Sequence, residues 1–178
     1  MILPNVIFVH PPRCSGSSIE HSLCGGVDDH VKHLTATQMR AMVGEKQWHN
    51  SFKFGIVRNP FDRFASLYIT PEPVGANIHH GATIQEFSQS YTPAPWEHGV
   101  QCSDYMNEEL DLIIRYEKRS EGIALANEKL AEYGLFIDEN IVRRNHQNKR
   151  KDFMTYYDEE GEAAVRERFS DDFERWYK

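Results

Sequence analysis

Residues 6–18 read VIFVHPPRCSGSS, and this stretch contains a predicted strand together with the point where the strand ends. Val6–Val9 is a short apolar run, typical of a strand that is buried on both faces. The following segment, His10–Gly16, contains two prolines and a glycine and cannot continue the strand. Ser17 is followed three residues later by Glu20, which is the spacing of a capping box and predicts that a helix begins here.

A turn between a strand and the start of a helix is a suitable place for an anion. The first backbone N–H groups of a helix have no partners within it, and the helix dipole adds positive potential at the same point. Arg13 places a permanent cation beside them. An ordinary strand-to-helix turn that happens to contain proline and serine is the alternative. Loops that bind ATP or GTP follow the pattern G-x-x-x-x-G-K-[ST], whose first glycine and lysine are missing here, so a nucleoside triphosphate fits poorly.

A second motif follows the next predicted strand, Phe52–Val57. Asn59 is a suitable N-cap and Pro60 a suitable first helical residue, so a helix is predicted to begin there and to contain Ser66. Arg58, just before this helix, is expected to face the same region as Ser66. An arginine and a hydroxyl group are suitable ligands for a terminal phosphate. A salt bridge that holds the helix in place is the alternative role for Arg58.

The rest of the chain alternates between helical and strand patterns. A capping box formed by Thr35 and Gln38 predicts a short helix that ends near Val43. Further predicted elements are helices at Thr83–Tyr91, Glu117–Tyr133 and Glu159–Phe169, and a third strand at Leu112–Ile114. Because strands that alternate with helices form βαβ units, we expect one α/β domain over residues 1–178, with a central, mostly parallel sheet flanked by helices. Ligands of such sheets bind beyond the carboxyl ends of the strands, where both arginine-containing motifs are placed.

Composition and charge argue against several classes of protein. The length of 178 residues and the 40% content of hydrophobic residues suit one globular domain. No apolar run approaches the ~20 residues of a membrane-spanning helix, and no secretory signal is recognisable, so we expect a cytoplasmic protein without a membrane partner. The net charge of −7 disfavours a nucleic-acid partner. The three cysteines form no Cys-x-x-Cys pair and give no indication of a metal site.

The two motifs resemble those of the sulfotransferase family. Residues 6–23, VIFVHPPRCSGSSIEHSL, are similar to the 5′-phosphosulfate loop of its carbohydrate-type branch, whose usual sequence is close to IFxHIPKTAGTSIxxxL. Residues 53–68, KFGIVRNPFDRFASLY, are similar to the 3′-phosphate motif of the same family, including an arginine and a serine eight residues apart. Weaker similarities extend the resemblance over nearly the whole chain, at residues 32–40, 111–117 and 148–157.

The resemblance implies a P-loop nucleotide-kinase-like fold and the donor 3′-phosphoadenosine 5′-phosphosulfate (PAPS). The reaction would leave 3′-phosphoadenosine 5′-phosphate (PAP), need no metal, and transfer the sulfuryl group to a hydroxyl of a small molecule or, more specifically, a carbohydrate. Arg58 and Ser66 would hold the 3′-phosphate, and Lys149 and Arg150 would add basic contacts to the nucleotide. The residues implied at the 5′-phosphosulfate are Arg13, Cys14, Ser15, Gly16, Ser17 and Ser18.

Three residues are predicted to take part in catalysis. Arg13 occupies a position where this branch usually has lysine; it would stabilise charge on the leaving oxygen, but a guanidinium cannot donate a proton at neutral pH. A hydroxyl acceptor also needs a general base. His33 resembles a histidine that the family places near the acceptor, and a histidine pKa suits this task. Glu20 is a second candidate, although the capping box already explains it. Other possible bases are His10, His79, His80 and His98.

Two other functions stay open at this point. A nucleotide or small-molecule kinase of similar fold would prefer ATP. A non-catalytic module would bind the donor without turnover, which is compatible with Arg13 in place of lysine. A cysteine phosphatase does not fit. Although a helix start and Arg13 favour the thiolate of Cys14, phosphatases resemble C-x-x-x-x-x-R, and this chain has Glu20 where the arginine would be.

Overall fold

A four-stranded sheet forms the centre of the computed structural model, which describes residues 1–26, 30–69, 82–92, 99–144 and 152–178, without the side chains of 142–144. The strands are β1 (Ile2–Leu3), β2 (Val6–Val9), β3 (Phe52–Val57) and β4 (Leu112–Arg115), in the spatial order β1-β2-β3-β4. The three longer strands run parallel, and β1 pairs antiparallel with β2. The predicted α/β class with a mostly parallel sheet is therefore confirmed.

Nine α-helices lie in the described part of the chain, and none of them is both long and apolar enough to cross a membrane. They are α1 (Gly16–Cys24), α2 (Ala36–Asn50), α3 (Pro60–Tyr68), α4 (Ile84–Ser90), α5 (Cys102–Tyr105), α6 (Arg119–Leu130), α7 (Glu139–Arg144), α8 (Glu159–Arg168) and α9 (Ser170–Trp176). Short 3₁₀ helices occupy Tyr116–Lys118, Ala131–Tyr133 and Phe153–Tyr156.

Several boundaries agree with the predictions because local chemistry sets them. The Asn59 side chain accepts a hydrogen bond from the Phe61 N–H at the start of α3, where Pro60 is the first helical residue. Thr35 and Gln38 form the predicted capping box of α2. The predicted end of this helix near Val43 agrees with a break at Gly44, which has φ 76° and ψ 162°, and a second helical segment that was not predicted continues to Asn50. Glycine permits this single non-helical residue, after which the helical pattern resumes.

The predicted capping box of Ser17 and Glu20 is wrong. Helix α1 begins two residues earlier than this cap predicts, at Gly16, with Ser15 as the N-cap in a left-handed conformation and without a side-chain capping bond. Glu20 lies beside His10 instead, with 3.0 Å between its Oε1 and His10 Nε2. The helix predicted at Glu117–Tyr133 also differs, because both of its ends are 3₁₀ turns around α6.

Two hydrophobic clusters hold the sheet and the helices together. The larger one consists of the inner faces of the sheet with residues of α1, α2 and α6, among them Ile19, Met39 and Ile123. The smaller one is rich in aromatic side chains of α3 and α4, including Phe64, and also contains Val165 of α8 and Phe169, which follows α8. Helix α3 is thus held by aromatic packing on one side and is free to present polar side chains to the end of β2 on the other.

Candidate functional site

The loop that joins β2 to α1 is held in an unusual backbone conformation. Arg13 and Ser15 have φ values of 66° and 69°, in the left-handed region that side chains other than glycine and asparagine seldom adopt. Such residues cost roughly 1–3 kcal/mol each and persist only where surrounding contacts impose them. Alternation between left- and right-handed residues turns successive N–H groups toward one point, which suits an anion. The loop therefore has the backbone shape expected of an anion site.

Gly16 makes the close approach of this loop to His10 possible. A Cβ atom built on Gly16 would lie 1.9 Å from His10 Nδ1, so no other residue fits without displacement. His10 is fully buried, and its ring stacks on Phe8 with 5.1 Å between ring centroids. The glycine is needed here for packing against His10 as well as for a tight turn.

Arg13 and Ser66, 53 residues apart in the sequence, are in direct contact. Arg13 donates from both Nε and Nη2 to the Ser66 hydroxyl oxygen, each at 3.1 Å. The Arg58 Nη1 group donates to the Arg13 carbonyl at 2.8 Å. The structure therefore brings the two motifs together beyond the carboxyl ends of β2 and β3, with two arginines and a hydroxyl group in one place.

Arg58 also forms the salt bridge that the sequence leaves open as its alternative role. Its Nε donates to Asp62 Oδ2 at 2.7 Å, one turn along α3, and only 4% of Arg58 is exposed. The guanidinium carbon lies 4.3 Å from the centre of the Tyr116 ring, which follows β4. Sequence reasoning missed Tyr116 because its proximity to Arg58 depends on how β3 and β4 pair. These contacts fix the guanidinium in one orientation.

His33 lies behind the loop and is mostly buried. Its Nδ1 is 3.1 Å from the His10 carbonyl oxygen, and because a carbonyl only accepts, Nδ1 carries the proton and Nε2 has the lone pair. Burial, and next the proximity of His10, lower the pKa of His33 to about 3, so the ring is neutral at pH 7. In this tautomer the Nε2 of His33 can accept a proton, but its low pKa means that it binds one only weakly in this structure.

Glu20 is buried, with 1% of its surface exposed, on the side of the loop that faces the core. Burial raises the pKa of Glu20, but the contacts with His10 and the amino group of Met1 outweigh burial and lower it. Glu20 therefore places its charge 3.0 Å from His10, whose own pKa burial lowers, although the pair does not have hydrogen-bond geometry. This placement supports a positioning role for Glu20, and gives it no route to an acceptor in this structure.

Cys14, whose side chain the resemblance places at the phosphosulfate, instead directs its thiol into the core. It is fully buried, and its Sγ lies 3.8 Å from Sγ of Cys102. Cys14 can therefore offer a ligand only its backbone. Ser17 is exposed, Ser15 is half-buried and Ser18 is buried, so the loop presents its hydroxyl groups to different degrees.

Several predicted residues lie outside the described residues. These are Lys149, Arg150, His79, His80 and His98. Within the described ranges, no group of three or more histidine, cysteine, aspartate or glutamate side chains is arranged to hold a metal ion. The site that the structure does describe consists of the loop from Arg13 to Ser18, Arg58 and Ser66, with His33 behind it.

A comparison with protein families finds one match that is relevant to this arrangement. The profile described as "Sulfotransferase family" matches residues 18–178. The match covers the second motif with Arg58 and Ser66, and begins at the last residue of the first loop. No curated protein and no solved structure matches the chain.

Proposed function

The chain belongs to the sulfotransferase family, and from this premise we propose that it transfers a sulfuryl group from PAPS to an acceptor hydroxyl on a carbohydrate. The observation that carries the proposal is the contact of Arg13 with Ser66, at 3.1 Å from two guanidinium nitrogens. It joins a loop suited to a 5′-phosphosulfate to a helix suited to a 3′-phosphate. A nucleotide with charged groups on both its 3′ and 5′ sides would use both the loop and the helix.

The two arginines support a nucleotide with two separate anionic groups as the donor. Arg58 is held by Asp62 and Tyr116 and cannot reorient, so the position of its charge is set before a ligand arrives. Arg13 contacts a neutral hydroxyl, and a phosphate or sulfate oxygen is a stronger acceptor for the same donors. Binding of the donor would therefore exchange weaker hydrogen bonds for charge-assisted ones.

For this reaction the protein must align the acceptor with the donor, stabilise the charge on the leaving oxygen and remove the proton of the acceptor hydroxyl. The acceptor oxygen attacks sulfur in line with the bond to the phosphate oxygen, and PAP leaves with the electron pair of the broken S–O bond. Arg13 and the N–H groups at the start of α1 stabilise the charge that develops on the leaving oxygen. His33 Nε2 is proposed to take the hydroxyl proton, since Nδ1 is held by the His10 carbonyl. The charges of a bound donor would raise its low pKa toward the working range.

The carbohydrate acceptor rests on the first motif alone. The sequence VIFVHPPRCSGSS shares with the carbohydrate-type branch the histidine before the proline and the hydroxyl residues at the helix start. Arg13 replaces the lysine of that branch. A purely electrostatic cation at this position is compatible with sulfuryl transfer, because the leaving phosphate needs no proton.

A thermal-shift comparison tests the donor assignment before any acceptor is known. PAP is expected to raise the melting temperature of the full chain at concentrations where ATP has little effect, because ATP lacks a 3′-phosphate and the loop lacks the triphosphate pattern. Adenosine 5′-phosphate serves as the matched control for the 3′-phosphate. A larger shift with ATP than with PAP would favour a kinase and overturn the proposal.

One observation favours a second function, a module that binds the donor without turnover. Arg13 stands in place of lysine, and in this structure its guanidinium contacts Ser66. Incubation with sulfur-labelled PAPS and a panel of carbohydrate acceptors distinguishes the two functions. Label transferred to an acceptor supports the enzyme, whereas tight PAP binding with no transfer to any acceptor supports the binding module.

A further inference from the structure

Two buried thiols lie side by side at the loop between β2 and α1, and one of them, that of Cys14, belongs to the loop. Cys14 and Cys102 are 88 residues apart in the sequence, their Sγ atoms are 3.8 Å apart, and both residues are fully buried. Cys14 lies between the two left-handed residues of the loop, Arg13 and Ser15. Cys102 is the first residue of α5. Any change in the bonding of these sulfurs therefore acts on the backbone that forms the candidate site.

A buried arginine lies close to the two thiols. Arg63 is 1% exposed, donates to the carbonyls of Pro12 and Val100, and its Nη2 has no hydrogen-bond partner in the described part of the chain. Burial alone would raise the pKa of Cys14, but the contact with Cys102 and the charge of Arg63 outweigh it and lower the pKa. Burial and the same thiol contact raise the pKa of Cys102. Disulfide formation begins with a thiolate, and of the two sulfurs these surroundings favour the thiolate form on Cys14.

The partner side of this pair is anchored. Both oxygens of Asp172, a fully buried residue in α9, accept hydrogen bonds of 2.7 Å, one from the Cys102 N–H and one from the Ser103 N–H. Helix α5 is thereby tied to α9. Because α5 is tied in this way, formation of a bond between the two sulfurs is expected to displace Cys14 and the loop more than Cys102.

We propose that Cys14 and Cys102 form a reversible disulfide that switches off binding at the loop. The oxidant is a peroxide: the Cys14 thiolate attacks one peroxide oxygen to give a sulfenic acid, and Cys102 then displaces water from it. In total, two thiols and one hydrogen peroxide give one disulfide and two waters. A low-molecular-weight thiol reverses the bond by exchange.

Formation of the bond requires the sulfurs to move from 3.8 Å to covalent contact. This draws residue 14 toward α5 and disturbs the backbone of Arg13, whose side chain contacts Ser66 and whose carbonyl accepts from Arg58. The effect on the nucleotide rests on the proposed function, whereas the disulfide itself does not. Cross-linking and binding are therefore measured separately.

The cross-link is tested on the full-length chain with diamide, an azo compound that takes up two hydrogens as two thiols join. Peptide mapping by mass spectrometry is expected to find Cys14 joined to Cys102 in the native protein, with a loss of two hydrogen atoms that dithiothreitol reverses. Cys24→Ser removes the remaining, exposed cysteine and is expected to behave like the wild type. Cys102→Ser is expected to abolish the cross-link. Native protein in which both thiols stay free, or in which Cys24 is joined instead, would overturn the proposal.

Binding is tested by calorimetry with PAP on the same samples. The oxidised wild type and oxidised Cys24→Ser are expected to bind PAP at least about tenfold more weakly than when reduced, with recovery after dithiothreitol. Cys102→Ser is expected to bind PAP equally well before and after diamide. Unchanged affinity of the cross-linked wild type, or an equal loss in Cys102→Ser, would contradict the switch. A cross-link in a chain that binds PAP in neither state would support the disulfide and contradict the proposed function.

Discussion

The Arg13 side chain contacts Ser66 through two nitrogens, and this contact allows two roles that a substitution separates. In one role the donor displaces the hydroxyl, and Arg13 stabilises charge on the leaving oxygen. In the other role Arg13 stays beside Ser66 and serves the 3′-phosphate. In the first role, Arg13 stabilises the transition state more than bound PAP. In the second role, it stabilises the transition state and bound PAP equally.

Arg13→Ala is expected to lower kcat by about 100-fold or more while it weakens PAP binding by less than about tenfold, because the leaving-oxygen charge is greatest in the transition state. Steady-state kinetics and calorimetry of the same variant measure the two effects. Ser66→Ala, which removes the other side of the contact, is the matched control and is expected to affect PAP binding more than kcat. A loss of PAP affinity as large as the loss of kcat in Arg13→Ala would assign the residue to nucleotide binding alone.

Arg58→Ala is expected to weaken PAP about 10- to 100-fold and adenosine 5′-phosphate much less, because a charge-assisted hydrogen bond contributes roughly 1.5–3 kcal/mol. Calorimetry with both ligands measures the difference. Since Arg58 also pairs with Asp62 and contacts the Arg13 carbonyl, part of any loss could arise from a disturbed loop. Asp62→Asn keeps the guanidinium but removes the ion pair, and is expected to spare most of the discrimination. Equal losses for the two nucleotides in Arg58→Ala would refute the assignment to the 3′-phosphate.

Among the elements, the β2–α1 connection depends on one close packing contact. Gly16→Ala would place a methyl group 1.9 Å from His10 Nδ1, so either the buried imidazole or the helix start must shift. Overpacking of this kind typically costs about 1–3 kcal/mol. Urea unfolding is expected to show a loss of at least this size for Gly16→Ala, together with weaker PAP binding.

Gly26→Ala provides the matched control at the other end of the same helix. A Cβ on Gly26 meets nothing within 4 Å, so the unfolding free energy is expected to change by less than about 0.5 kcal/mol. Equal stability of the two variants would show that the loop shifts freely and that the approach to His10 is not required.

Helix α3 is the element that connects the site to the rest of the fold. Its aromatic residues, including Phe61 and Phe64, pack into the smaller hydrophobic cluster. Its polar residues Arg63 and Ser66 point the other way, toward the loop after β2. Because both sets lie on one rigid helix, aromatic packing that is distant from the loop in sequence fixes the position of Ser66.

Over the whole molecule, the buried imidazoles make stability depend on pH. His33 has a pKa of about 3 in the folded chain and about 6.5 when unfolded. Below pH 6.5 the unfolded chain therefore binds a proton that the folded chain does not, so stability is complete above this pH and falls as the pH decreases toward 3. The charged and titratable groups that affect the ring are His10, Lys32 and Glu20, of which His10 shifts in the same direction.

His33→Asn is expected to reduce this acid sensitivity. Asparagine tolerates the φ of 61° at this position and keeps a donor for the His10 carbonyl. Between pH 7 and pH 5, the variant should lose about 2 kcal/mol less unfolding free energy than the wild type, measured by urea titration at each pH. The exposed His49 provides the control substitution His49→Asn, which should follow the wild-type dependence. A wild-type stability that does not fall below pH 6.5 would contradict the buried, neutral state of His33.

Much of this architecture could be predicted from local sequence signals. Asn59-Pro60 set the start of α3, Thr35 with Gln38 set the start of α2, and the apolar run Val6–Val9 predicted a central strand. Local signals also predict the helix after the loop but misplace its first residue. A serine followed by a glutamate three residues later resembles a cap even when the glutamate has a buried partner. Helix α9 follows α8 after the single residue Phe169, and the acidic residues Asp171 and Asp172 in its first turn are its local signal.

The sequence by itself determined that arginines and helix starts follow two of the strands, because strand ends, helix starts and arginines are local features. Tertiary structure alone decided which groups meet. Arg13 contacts Ser66, Glu20 contacts His10, and the Cys14 thiol faces Cys102. The physical reason is that the contact partner of a side chain depends on how distant segments pack, and a left-handed residue such as Arg13 redirects its side chain in a way that no local pattern shows.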